Sequence, residues 1–305
     1  MQSSVGKPRS WKTRLQILLL LSAASLGGLK AYLDDRLTQV LEHQLPQLWP
    51  AATWQYTAAN WRLPAAVALD NVQLALPSGL RLSAAELRLH DLYRFYPSTR
   101  LPSQIQLDLR DLRYPLAEWF PNQPPVLWSA FGYGAAYLGG AELTGLGFGT
   151  LHADVALQLY PQTDTGQLAL HLQLSSPQVG KLDLEMQLQQ VNFAAFSPWQ
   201  SQWVSLRGSY HPGALLAAYT NRLAQRNNLP VATQRQQLAQ QLETDLQASN
   251  LGLPPGVYTA LSALLREQTP VQWQLRPSTP LSLHELFTRH PSTWAKQLGL
   301  AMNLL

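Results

Sequence analysis

"VALDNVQLALPSGLRLSAAELRLH", residues 67–90, decides the fold. Val67 and Leu69 lie on one side of a period-two ribbon, and Val72, Leu74 and Leu76 take up the opposite parity. A strand keeps one apolar face through such a switch only by inserting a residue, so Asp70 and Asn71 predict a β-bulge. "PSG" at 77–79 predicts the hairpin turn. The return strand repeats the device: Leu80 and Leu82, a slip through Ser83 to Glu86, then Leu87 and Leu89. A third strand does so again, with Ile105, Leu107 and Leu109 followed by Leu112, Tyr114 and Leu116.

A second β block follows the aromatic and glycine-rich segment 127–149. Leu151, Val155, Leu157 and Leu159 share one face; then Leu168, Leu170, Leu172 and Leu174; then Leu182, Leu184, Met186 and Leu188. "WVSLRGSY" closes the block, and the opposite face carries Gln, His, Asp, Lys and Glu. This pattern predicts an antiparallel meander, solvated on one side and apolar on the other. From "HPGALLAAY" onward the period turns helical, with Leu238, Leu242 and Leu246 as one stripe and Val257, Ala260, Leu261, Leu264 and Leu265 as another. A last strand, "VQWQLRP", precedes a short helical end at Leu286 and Phe287. The fold class is therefore α+β: a curved antiparallel meander of bulged strands, its leucine face packed against C-terminal amphipathic helices.

Charge is distributed unevenly. Residues 1–30 hold Lys7, Arg9, Lys12, Arg14 and Lys30 of the chain's 22 basic residues and no acid, which leaves 17 basic against 18 acidic residues elsewhere. A neutral body has no electrostatic footprint for a phosphate backbone, so nucleic acid is not an expected partner. Cysteine is absent, which excludes disulfides and thiolate metal sites.

The basic cluster precedes an apolar run from Leu15 to Leu29, which continues through Lys30 to Leu33 and is followed by Asp34 and Asp35. Nineteen residues of helix reach roughly 28 Å, enough to cross a bilayer. The positive-inside rule keeps the N-terminus in the cytoplasm and exports the rest. A cleavable signal peptide cut near "SAAS", 22–25, is the competing reading, and it too exports the body. The divisions that follow are a basic tail (1–14), a transmembrane signal anchor (15–33), a juxtamembrane helix (34–50), a β-rich exported domain (51–212) and a mainly helical part packing on the sheet (213–305). Trp49, Trp54 and Trp61 suit either an interfacial belt or, for the last two, the core of the first strands.

The strings that suggest chemistry do not complete a site. "HELFTRH", 284–290, begins like a zinc-protease helix, but His284 and His290 are six apart and sit about 120° apart around a helix. The glycines at 132, 134, 139, 140, 145, 147 and 149 contain no G-x-G-x-x-G and no Walker lysine. His152 and Asp154 share a strand face without a nucleophile turn beside them, so a solvated polar face is the expectation. No catalytic, metal or cofactor residue is assigned.

The order of parts, an N-terminal anchor, a juxtamembrane helix and then "VALDNVQLALPSGLRLSAAELRLHDL", resembles the opening of AsmA-like proteins of the Gram-negative envelope. "LHADVALQLYPQTDTGQLALHLQLSSPQVGKLDLEMQLQQV" through "VQWQLRPSTPLSLHELF" is similar to exported proteobacterial proteins of the same build. The resemblance implies a single-pass inner-membrane protein facing the periplasm, with a β-groove and a part in outer-membrane lipid homeostasis. It carries over no catalytic residue.

The functional expectation is a non-enzymatic, membrane-tethered envelope protein that holds or hands over a phospholipid or acyl chain. The apolar groove would be lined by Leu168, Leu170, Leu172, Leu182, Leu184, Met186 and Leu188. A helix-covered core without ligand, in a structural or assembly factor, demands the same pattern. An exported hydrolase with a site assembled from distant residues is the rival from another class.

Overall fold

The computed structural model describes residues 30–39, 42, 53–62, 66–75, 81–90, 102–116, 120, 122–123, 137–193, 201–248, 253–282 and 298–305. The apolar run before Lys30, Trp49, the 77–79 turn, Gly132, Gly134 and the segment with His284, Leu286, Phe287 and His290 lie outside them. Among the described residues, no helix is long and apolar enough to cross a membrane.

Among the described residues, one antiparallel sheet of twelve strands organises the fold. Its strands are β1 (Thr53–Gln55), β2 (Ala58–Arg62), β3 (Ala66–Ala75), β4 (Arg81–Leu89), β5 (Ile105–Tyr114), β6 (Leu151–Gln162), β7 (Gln167–Ser176), β8 (Gly180–Gln189), β9 (Gln202–Pro212), β10 (Val271–Leu275), β11 (Leu281–Ser282) and β12 (Ala301–Leu304). From β3 to β10 each strand pairs with the next, β1 and β2 both pair with β3, β11 with β9 and β12 with β10, and the sheet does not close on itself. The helices are α1 (30–39), α2 (Gly140–Gly145), α3 (Ala214–Arg226), α4 (Val231–Ala248) and α5 (Pro255–Glu267). Strand β12 is an addition to the sequence reading. Four residues, Ala301–Leu304, are too few for a period to show.

The parity slips are present and form a line, but at Asp70 and Asn71 the expected bulge is instead a left-handed slip with no change of register against β1, β2 or β4. Asn71 has φ 51° and Asp111 has φ 48°, left-handed conformations that reverse which side the following residues face. Register between β3 and β4 stays constant across the slip, with Asp70 opposite Glu86 and Val72 opposite Ala84. Both strands therefore gain their extra residue at the same height, Asn71 against Ala85. The β4–β5 register is also constant, from Glu86 opposite Arg110 to Ser83 opposite Arg113. Along this line the count differs only between β5 and β6: pairing shifts by one between Leu109 and Leu112, so a single bulge absorbs the crease. Polar side chains secure its ends. Asn71 Nδ2 donates to Thr57 Oγ1 (3.0 Å), and the Asp111 N–H donates to Asp154 Oδ1 (2.9 Å).

Among the described residues, three apolar clusters hold the apolar side. Val67, Leu69, Val72 and Ala59 form one under Leu37 of α1, with Trp54 and Trp61 packed against it. Both tryptophans thus serve the core of the first strands. Leu116, Leu138, Leu143 and Phe148 form a second, joined by Leu215, Ala218 and Tyr219 of α3. Leu168, Leu188, Val191, Trp203, Leu281 and Leu298 form the third.

Two of the edge strands, β2 and β12, also meet a helix, where open sheet edges otherwise invite pairing with other chains. The Trp61 N–H of β2 donates to Asp34 Oδ1 at 2.6 Å, and Trp61 Nε1 donates to the Leu33 carbonyl at 3.1 Å. Burial works against the Asp34 charge, but Lys30 and that amide outweigh it and hold the carboxyl below its ordinary pKa. On the other side α5 runs beside β12. A Cβ placed on Gly256 would be 3.0 Å from the Met302 carbonyl oxygen.

Candidate functional site

Register across the sheet turns the leucine alternation into continuous rows. Leu89, Leu107, Leu157, Leu172 and Leu184 are successive cross-strand partners from β4 to β8. Gly208 continues the row on β9, and Trp273 on β10 lies opposite it. A Cβ on Gly208 would be 2.4 Å from Trp273 Cζ2 and 2.8 Å from Leu184 Cδ2, so the indole occupies the space the glycine leaves. The neighbouring row is Leu87, Leu109, Val155, Leu174, Leu182 and Tyr210. At the strand spacing of about 4.8 Å, the first row crosses roughly 29 Å from β4 to β10 and the second roughly 24 Å from β4 to β9.

Burial divides these rows from the rest of the apolar side. Leu168 and Leu188, expected in a groove, are 8% and 6% exposed inside the third cluster and belong to closed core. Met186 is half-buried and packs against the same cluster. Leu170, Leu172, Leu182 and Leu184 are half-buried, as are Leu107, Leu109, Val155, Leu157 and Leu174. Among the described residues, the helices pack beside these rows. Helix α3 joins the cluster at the sheet's end and α5 lies against β10 and β12 at its far edge. The middle of the apolar face is a partly accessible strip between three closed clusters.

At one end the second row reaches an apolar pocket of about 310 Å³. Tyr210 belongs to both, and its hydroxyl donates to the Val179 carbonyl at 2.7 Å. Leu116, Phe120, Tyr137, Leu143 and Tyr219 are among its other walls. Burial pushes the Tyr137, Tyr210 and Tyr219 phenols above their ordinary pKa, with Arg226 acting in the opposite sense on Tyr219.

The other face is charged and open. Asp108, Asp154, Gln173, Lys181, Asp183 and His211 border a trough of about 500 Å³. His152 and Asp154 meet through Asp111: His152 Nδ1 lies 2.6 Å from Asp111 Oδ1, and Asp154 takes the Asp111 N–H. Arg113 first, and His152 second, lower the Asp111 carboxyl pKa. The pair's geometry secures the crease. Two more His–carboxylate contacts, His90 to Asp108 (2.7 Å) and His171 to Asp183 (3.1 Å), join neighbouring strands. Their sequence separations of 18 and 12 residues hid them from a search for close pairs. Among the described residues no three His, Asp or Glu side chains converge as metal ligands.

A family described as "Uncharacterized protein" matches residues 163–303, which takes in β7 to β11, most of β12 and helices α3 to α5. No curated protein matches the chain.

Proposed function

We propose that this chain is a membrane-tethered envelope protein, without enzymatic activity, that holds or hands over an acyl chain on the apolar face of its sheet. One observation carries the reading: two rows of half-buried leucine-type side chains cross the middle of the sheet, between clusters that are closed. Leaving so much apolar surface partly wet forgoes burial energy of about 25 cal/mol per Å², and such surface typically marks a site for an apolar partner. The basic flank and apolar run at 7–33 supply the tether, and the resemblance to AsmA-like envelope proteins agrees with both parts.

The test pairs extraction with substitution. Lipid should be found by mass spectrometry in the purified full-length protein. Leu184→Asp sets a carboxylate in the middle of the strip, where it stays partly hydrated, so the fold survives and co-purifying lipid falls at least tenfold. In a closed core, the same aspartate would be buried unpaired and cooperative unfolding would be lost. A variant that folds and keeps its lipid refutes the proposal.

A further inference from the structure

The pocket at the end of the rows has a charged neighbourhood that the rows lack. Leu215 and Tyr219 of α3 help line it, and Arg222 and Arg226 follow at i+7 and i+11 from Leu215 on the same helical stripe. The helix that lines the pocket with Leu215 and Tyr219 therefore carries two guanidinium groups on the next turns of the same stripe. Both arginines reach Glu142 of α2, which adjoins the lining residue Leu143. Arg226 meets Glu142 Oε2 directly and also donates to the carbonyl of Tyr137, another lining residue, at 3.1 Å. Arg222 is held more loosely: its Nη2 is 3.6 Å from Glu142 Oε1, and its side chain is 41% exposed. At about 310 Å³ the pocket lies at the small end of ligand sites, with room for a single apolar chain and not for a two-chain lipid.

We propose that this pocket takes the tail of a single-chain anionic amphiphile, a carboxylate of the fatty-acid type, whose head group is held by Arg222. The exposed guanidinium offers a planar pair of N–H donors that matches a carboxylate, and Glu142 competes with the ligand for it. The inference shares Tyr210 with the leucine rows and otherwise stands apart from the reading of that strip.

The experiment uses the full chain in phosphatidylcholine nanodiscs. The probes are dodecanoic acid carrying a diazirine near its methyl end, and the methyl ester of the same compound. After irradiation, peptide mass spectrometry should place the acid on the segments with Tyr137 to Leu143 and Leu215 to Tyr219. Unlabelled dodecanoate should compete at least tenfold better than methyl dodecanoate, the worth of one charge-assisted hydrogen bond. Arg222→Gln should abolish that preference with ester labelling unchanged, and Glu142→Gln should increase it. Equal labelling of the pocket by acid and ester in the parent overturns the proposal, whatever the variants do. Labelling confined to β7 and β8 also overturns it, while leaving an acyl chain on the strip. No labelling at either place overturns both readings.

Discussion

Deleting Asn71 tests whether the crease assigns the faces of the sheet. The deletion takes the extra residue from β3 and leaves its counterpart Ala85 in β4, so the two strands no longer slip together. Either Val67 and Leu69 or Val72 and Leu74 must then turn to the polar side. Val67 and Leu69 are 6% and 4% exposed, and turning both out costs about 3–6 kcal/mol at about 1.5–3 kcal/mol each. Val72 is 5% exposed but Leu74 is only half-buried, so the second choice costs about 2–4 kcal/mol. The chain takes the cheaper route, and the bond from Asn71 to Thr57 is lost in either case. A loss of about 3 kcal/mol is a large part of the roughly 5–15 kcal/mol that holds a domain. The assay is urea unfolding followed by tryptophan fluorescence, since Trp54 and Trp61 pack on the affected cluster. Asn71→Gly is the control: it permits φ 51° and keeps the slip, so its loss should be well under half that of the deletion. A deletion variant as stable as the parent would refute the argument that the slip sets the faces.

Two further outcomes follow from single positions. Gly208→Ala places a Cβ 2.4 Å from the Trp273 ring, and the overpacking should cost about 1–3 kcal/mol and shift the emission of Trp273. The Asp111 pKa is lowered in the folded chain by Arg113 and then His152, so its stabilisation is complete above the unfolded value near 3.9 and is lost as pH falls through the folded one. Asp111→Asn should therefore be less stable than the parent at pH 7, with a difference that shrinks below about pH 4 in urea midpoints. A constant difference down to pH 3 would mean the carboxylate charge plays no part.

The sequence carried the local grammar of the sheet well. Alternation identified the apolar side of β3 through β9, and each parity switch located a slip within a residue or two, because a strand exposes every second side chain to the same surroundings. It did not show that the slips at Asn71, Ala85 and Asp111 lie at one height or that β6 absorbs them in one bulge. That alignment depends on register between strands, and register is fixed by pairing partners far away in sequence. The same limit concealed His90 with Asp108 and His171 with Asp183, which are brought together only by neighbouring strands.

A leucine at every second position is also the same message whether a helix lies over it or a ligand does, so the candidate strip could not be told from core by pattern. The deciding geometry sits at two glycines. Gly180 has φ 114°, and a Cβ on it would be 2.0 Å from the His211 carbonyl oxygen; one on Gly213 would be 2.4 Å from the Gly180 nitrogen. The β7–β8 turn can therefore press against the start of α3, where the N–H groups of Gly213, Ala214 and Leu215 donate to the carbonyls of Val179, Pro177 and Gln178. Those bonds satisfy amides that a helix start leaves without partners inside the helix. They also fix α3 at the end of the sheet, where Leu215 and Tyr219 join the cluster of Leu116, Leu138, Leu143 and Phe148. From that start, α4 packs on α3 and α5 on α4, and α5 comes down beside β12. Among the described residues, the amphipathic helices are thus committed to the end and edge of the sheet, beside the leucine rows. Leu172 and Leu184 remain half-buried, although the contacts of 177–180 with 213–215 that position α3 begin only a few residues from them in sequence.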